Sequence, residues 1–464
     1  MGLTKATNRM IEGASVNVMD FGATGDGTTD DTAAIQAAID SLDANGAIFI
    51  PEGIFNISST LLVTINVNFT GVLFYGVGIA SKIQWVGTAD GSPMLRYVAG
   101  VAGKAWYGMQ QVRDCWFNGL SGGGIDGIHM GDPSLASTGG VGNVTISNVR
   151  ISSIDSGIKL NSESDEVTIE KCHIRVYYAY GIYNLLGGSG VRIINNHIQD
   201  PLVAGTIGIY SGLTAITISN NIIQGGSAQM NGILIEGARG FQVTTNYSEA
   251  TTYATNYFIK IINSKAGIIH SNEIGAYIGA DLIHIDATSK GINIGPNSHS
   301  QSGGVITSLA RIETGATHVN IYGKQITSGS IVAITGYENC DFVTDHISYD
   351  RTNRLQIFGE RVLANNKAIG SIYTYNNLDT ANPYTILTFT SGASGESYLL
   401  YLNAVIYNTE ITALVNIAYN NTVTITTLTK TGTDIDLTSS GLNVIVSTAT
   451  AGVKTTTVSA IRIR

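Results

Sequence analysis

INNHI, Ile194–Ile198, returns twenty-five residues later as SNNII, Ser219–Ile223. The same shape recurs on either side: ISNVRI ends at Ile151, IEKCHI at Ile174, HSNEI at Ile274, YGKQI at Ile326 and TDHI at Ile347. The closing isoleucines are 23, 24, 25, 51, 52 and 21 residues apart, a period near 24 with two double steps. A coil of that length holds three short strands and three turns, so the chain reads as a solenoid. Asn148, Asn195, Asn220 and, one residue out of step, Asn272 fall at a single bend. Stacked amides at such a bend bond to one another and to the turn backbone.

A second strand opens with GI in most coils: DGIHMG, SGIKLN, YGIYNL, IGIYSG, NGILIE, then YFIKII, DLIHID and LARIET. Side chains alternate faces along a strand, so the apolar flanks point inward and the central residue outward. The outward series is His129, Lys159, Tyr183, Tyr210, Leu234, Lys260, His284 and Arg311, at intervals that keep the coil period. Tyr177, Tyr178, Tyr180, Tyr253, Tyr257 and Tyr277 fall just before this strand. Aromatic faces stack on the apolar faces of sugar rings and cations pair with acidic groups, so Lys159, Tyr183, Tyr210, Lys260, His284 and Arg311 are the expected substrate-binding residues. The ordinary alternative is that tyrosine merely suits a half-exposed sheet.

Two positions further on, a second outward series contains Glu236, Asp286 and Glu313, the expected catalytic residues. Asp286 and Glu313 would lie one coil apart, ~4.8 Å, near the spacing of a retaining glycosidase pair. Glu236 and Asp286 would be two coils apart, ~9.6 Å, at the upper edge of the inverting range. Close carboxylates also raise one another's pKa, which a general acid needs. Against this, acidic residues at strand ends are usually just solvated.

The 464-residue chain has only 13% charged residues and 55 glycines, and its Thr, Asn and Val/Ile content favours short strands and turns. A net charge of −9 argues against nucleic acid as a partner. Cys115, Cys172 and Cys340 are an odd number, widely spaced, with no C-x-x-C pair, so neither a disulfide framework nor a metal centre is expected. No cofactor is expected either. The N-terminus lacks the apolar core of a cleaved signal, and no stretch has the length and character of a membrane span.

GDGTTDDTAAIQAAID, Gly25–Asp40, lacks the Gly-Lys-Ser/Thr of a phosphate loop and has Ala37 where an EF-hand needs glutamate. It reads as a short helix capped by Thr28, Thr29 or Asp30, with Ile35, Ala38, Ile39 and Leu42 forming one apolar stripe. With the strands around it, VNVMDFGATGDGTTDDTAAIQAAID…GAIFIPEGIFNI resembles the N-terminal signature of the pectate-lyase-like superfamily, in the form found in bacteriophage tailspikes and polysaccharide depolymerases. LTKATNRMIEGA ahead of it is similar to the connector of such tailspikes. The resemblance covers roughly residues 4–57 and implies a right-handed parallel β-helix whose open end the helix covers. It says less about chemistry, because the fold hosts lyases, hydrolases and pure binders. The signatures of polygalacturonases and pectate lyases are absent, so plant pectin is not the expected substrate.

The expected fold is therefore all-β: a leader at 1–15, a cap with its helix at 16–45, a right-handed parallel β-helix of about 13 coils over 46–363, and an antiparallel, sandwich-like domain over 364–464. Those coils would stack to a shaft of about 60 Å. The resemblance implies a homotrimer held by the C-terminal domain, for which carbohydrate binding is the competing role. It also implies docking on another tail protein through the leader, and a place in the virion tail. The expected activity is hydrolysis of a bacterial surface polysaccharide (capsule, exopolysaccharide or O-antigen). The alternatives are a lyase acting on a uronate-containing glycan and a non-catalytic receptor-binding protein.

Overall fold

The computed structural model describes residues 15–322 except 43–44, 67–70, 101–107, 133–139, 162–163, 185–187, 227–229, 250–256, 276–280 and 300–307. Beyond 322 it describes Cys340 and the backbone of strands between 332 and 462. The chain divides into two units, 1–292 with 298–316, and 293–297 with 317–464.

The first unit is a parallel β-solenoid, as the repeat predicts. Each coil contributes to three parallel ladders, here called sheets A, B and C in the order the chain meets them. In one coil, Val144–Ser147 belongs to A, and the strand Arg150–Leu160 serves B with its first half and C with its second, across a register shift between Ile154 and Ser156. The solenoid makes about ten turns rather than 13. Two early coils are long: Leu73 pairs with Gln111 and Gln111 with Thr145, steps of 38 and 34 residues, before Thr145 pairs with Thr168 after 23.

The inward isoleucine column is continuous: Ile151, Ile174, Ile198 and Ile223 stack in register, then Ser248, Ile274 and His299. The double steps in the sequence are thus coils in which a serine or histidine takes the isoleucine's place. Ile326 lies outside the described residues. Ile347 lies on the strand Phe342–Tyr349, which pairs antiparallel with Gln356–Ala364 in the second unit. Each fully buried isoleucine contributes about 1.5–3 kcal/mol relative to exposure.

The A-to-B corner separates two jobs that the sequence places side by side. Asn148, Asn195, Asn220, Thr245 and Ser271 hold the left-handed conformation, φ 52–58°. Asparagine tolerates this conformation best of the non-glycine residues. The buried amide ladder is the next residue along: Asn196, Asn221, Asn246 and Asn272. Asn196, Asn221 and Asn246 each donate Nδ2 to the following Oδ1 at 2.9–3.0 Å, and all four donate to a backbone carbonyl of the preceding coil. So Asn272 is in step, and Asn148, Asn195 and Asn220 belong to the corner rather than the ladder.

The GI glycines mark the B-to-C bend. A Cβ on Gly157 or Gly181 would lie 2.5 Å from the carbonyl oxygen of the next glycine in the column. No side chain fits there.

At the N-terminal end, the helix Thr32–Asp40 buries Ile35, Ala38 and Ile39. The N-cap is Asp31 rather than Thr28, Thr29 or Asp30, and its buried carboxylate ties back the N–H groups of Thr24 and Gly25 instead of capping, while Asp30 bonds the Thr32 N–H at 3.0 Å. The acidic loop is structural. Cys115, Cys172 and Cys340 are buried, and no disulfide joins them among the described residues.

In the second unit, Asn320 pairs in parallel with Asn293 and with Phe342. Antiparallel pairing begins at Phe342–Tyr349, and five- and three-stranded antiparallel sheets follow between Gly370 and Arg462.

Candidate functional site

Sheet C keeps its outer residues in register without a break. His129 pairs with Lys159, Lys159 with Tyr183, Tyr183 with Tyr210, Tyr210 with Leu234, Leu234 with Lys260, Lys260 with His284 and His284 with Arg311. The column also extends backward, since Arg96 pairs with His129. Neighbouring rungs lie ~4.8 Å apart, so these side chains form one file along the sheet.

An aromatic cluster occupies the middle of the file. The rings of Tyr180, Tyr183 and Tyr210 have centroids 4.8, 5.3 and 5.8 Å apart, with Tyr183 and Tyr210 edge to face. The Tyr210 hydroxyl donates to Glu236 Oε2. Lys260 Nζ lies 5.5 Å from the Tyr257 ring centroid. Burial, followed by the nearby charge of Glu236, raises the Tyr257 phenol, and burial followed by the Glu236 hydrogen bond and charge raises that of Tyr210. Both phenols therefore stay protonated, and that of Tyr210 acts as a donor. Glu236 is thus a carboxylate set among tyrosines, half-buried, with Lys260 one rung further along the file.

The other expected residues differ in what already holds them. Asp286 accepts from the Asn263 N–H at 3.1 Å, the Ser289 hydroxyl at 2.6 Å and the Thr288 hydroxyl at 2.5 Å. Burial pushes its pKa up, but these donors outweigh that and leave it below the usual carboxylate value. Glu313 lies 2.7 Å from His284 Nε2 and accepts the Ala287 N–H at 3.1 Å. Its pKa is lowered as well, with burial again opposing the His284 and Ala287 bonds. A depressed pKa suits a base or an anion, not a general acid. Arg311 pairs loosely with Asp281 at 3.4 Å. Lys159 is committed to Asp126, 2.7 Å away, whose other close contacts are His129 at 2.9 Å and the Ser156 N–H. Among the described residues, Lys260 has no carboxylate partner.

Tyr177 is fully buried in the core rather than on the surface, and Tyr253 and Tyr277 lie outside the described residues. Arg96 was missed because its strand, Pro93–Ala99, lacks the GI opening, although its alternation already points Arg96 outward. A second file, on sheet B, was also missed: Lys82, Trp116, Arg150, His173 and His197. The last three sit immediately before the repeat's isoleucines in ISNVRI, IEKCHI and INNHI, so the signal was on the page. Among the described residues no group of three His, Cys, Asp or Glu side chains converges as a metal site would.

A family model described as rhamnogalacturonase A/epimerase, pectate lyase-like, matches residues 15–228. The mannuronan C5-epimerase AlgE1 of Azotobacter vinelandii is 57% identical over 44 residues, which are 9% of this chain and 3% of that protein's length. The A-module of the Azotobacter vinelandii mannuronan C-5 epimerase AlgE6 superposes with a TM-score of 0.51 at 19% identity, covering 72% of this chain and 99% of that module. The DFA-IIIase of Arthrobacter chlorophenolicus A6 does so with a TM-score of 0.50 at 12% identity, covering 70% and 97%. At these identities the superpositions speak to the fold. The match over residues 15–228 falls within the solenoid, whose three parallel ladders form a β-helix similar to the pectate-lyase-like fold.

Proposed function

We propose that the chain is a bacteriophage tailspike depolymerase that lays a bacterial surface polysaccharide along sheet C and hydrolyses it. The observation that carries this reading is the unbroken file from Tyr183 to Arg311 with Glu236 beside its aromatic centre. The file suits a polymer crossing several rungs: tyrosine faces stack on sugar rings, while Lys260, His284 and Arg311 supply charge and N–H donors. Glu236 is the acid, its orientation set by Tyr210. Asp286, two rungs on at ~9.6 Å and held ionised by its donors, is the base for water, a spacing at the upper edge of inverting geometry. The curated relatives and solved neighbours include proteins named as glycan-modifying enzymes, which supports a carbohydrate substrate.

In this reading the C-terminal antiparallel sheets hold a homotrimer. The leader, outside the described residues, docks on another tail protein, and the protein acts at the bacterial surface as part of the virion tail. Purified host capsule incubated with the protein should release new reducing ends, and Glu236→Gln should stop that release. An unsaturated, ultraviolet-absorbing product would mean elimination instead, with a Lys, His or Tyr of the file removing the proton next to a uronate. A receptor-binding role without catalysis is favoured by one observation: Asp286 and Glu313 are both engaged by neighbouring donors. It predicts tight binding to the capsule with no new ends.

A further inference from the structure

The outer file of sheet B gathers positive charge that the chain itself barely balances. Lys82, Trp116, Arg150, His173 and His197 occupy five successive rungs. Lys82 Nζ lies 4.5 Å from the Trp116 ring centroid and Arg150 Cζ 4.6 Å from it, and the imidazoles of His173 and His197 stack with centroids 4.9 Å apart and planes 13° apart. Beside them runs a polar file, Gln84, Asn118, Ser152, Arg175 and Gln199. Asn118 donates to Gln84, Ser152 to Asn118 and Trp116 Nε1 to Ser152, which fixes the indole edge-on.

The described carboxylate that meets these cations is Asp200, 3.0 Å from Arg175 and also bonded by Gln199. Lys82 and Arg150 have no carboxylate partner among the described residues. Arg150 Nε, His173 Nε2 and Arg175 Nε are buried atoms without a hydrogen bond. Burial and then the charge of Arg150 pull the Lys82 pKa down. Burial, then His197, Arg150 and Arg175, do the same to His173. Like charges are therefore held close on one face, where an arriving anion would relieve their repulsion.

We infer that the sheet-B file from Lys82 to His197 is a second glycan-binding face, one that takes the anionic groups of an acidic polysaccharide. Five rungs at ~4.8 Å span about 19 Å, enough for several sugar residues. Trp116 has a cation over its ring on either side, and His173 and His197 cover one another, so the file offers N–H donors rather than open rings. That favours carboxylate or sulfate groups over nucleobases, which need free aromatic faces to stack on. The choice of a glycan as carrier rests on the proposed function. The anion site does not, because it lies on a different sheet from Glu236 and needs no catalysis.

The test uses the full chain and measures binding to polygalacturonate, dextran sulfate, neutral dextran and a single-stranded oligonucleotide at low and moderate salt. The expected result is salt-sensitive binding to the two anionic polysaccharides, none to dextran and weaker binding to the oligonucleotide. Arg150→Ala should weaken the polyanion binding about tenfold. Lys82→Gln, which removes one half-buried charge, should weaken it several-fold, and Lys290→Ala, at an exposed position outside both files, should leave it unchanged. Absence of polyanion binding, binding indifferent to both Lys82→Gln and Arg150→Ala, or preference for the oligonucleotide would overturn the inference. Loss of capsule cleavage in Glu236→Gln with polyanion binding intact would support both proposals separately. Polyanion binding by a chain that never cleaves glycan would sink only the first.

Discussion

Tyr210 and Glu236 stand on neighbouring coils, and the phenol of one donates its proton to a carboxylate oxygen of the other. Among the described residues no hydrogen bond reaches Glu236 Oε1, so the bond from Tyr210 fixes one oxygen and leaves the second available to a glycosidic oxygen. Glu236→Gln should lower cleavage of capsule by about 10²–10⁴-fold. Tyr210→Phe should cost less, about tenfold, because the carboxylate remains but is less well oriented. Reducing-end assays on both variants check this, and equal losses would contradict the orienting role of Tyr210.

Asp286 should matter for stability at neutral pH and cease to matter in acid. Its folded pKa is depressed, so the stabilisation is present above the unfolded value, ~3.9, and is lost as pH falls through the folded value. Asp286→Ala should therefore lower the urea midpoint at pH 7 by the equivalent of about 1–2 kcal/mol, given three donors left without their acceptor. Wild type and variant should converge as pH is lowered towards 2. A difference that persists or grows in acid would show that the donors do not stabilise the charged form.

Asn246 should be far less tolerant of change than its surface neighbour Thr245. Asn246→Leu strands the Asn221 N–H, the Asn221 amide and the Ile218 carbonyl, all buried. The expected loss is about 2–4 kcal/mol, seen as a lower denaturant midpoint. A loss below about 0.5 kcal/mol would mean that the amide ladder is dispensable.

Gly181→Ala should destabilise by about 2 kcal/mol or more, because its Cβ would sit 2.5 Å from the Gly208 oxygen and 2.6 Å from Ile198 Cγ2. Gly122→Ala, at a position with open space, should be close to neutral. Thermal melts of the two variants give the comparison directly.

The file from His129 to Arg311 was legible because alternation leaves no freedom once the inward isoleucines are placed. A slip of one residue would have buried Lys159, Lys260 and Arg311. The amide ladder was misread by one position because Asn195–Asn196 and Asn220–Asn221 are doublets, and only backbone conformation tells the corner residue from the buried one. The coil count was too high because a uniform period cannot see the long steps from Leu73 to Gln111 to Thr145. Asp286 carried a readable clue in Asp286-Ala-Thr-Ser289, a sequence suited to side-chain bonding within its own turn, and that clue was passed over. The charge of sheet B is written in three aligned motifs, as the residue immediately before each closing isoleucine.

The long early coils have a consequence for how such a molecule diversifies. Leu73, Gln111 and Thr145 keep strict register although each step between them is roughly a dozen residues longer than the coils that follow. Coils can therefore differ in length while the ranks of outward side chains stay in phase. Length can thus vary from coil to coil within a lineage without the ladders having to be realigned.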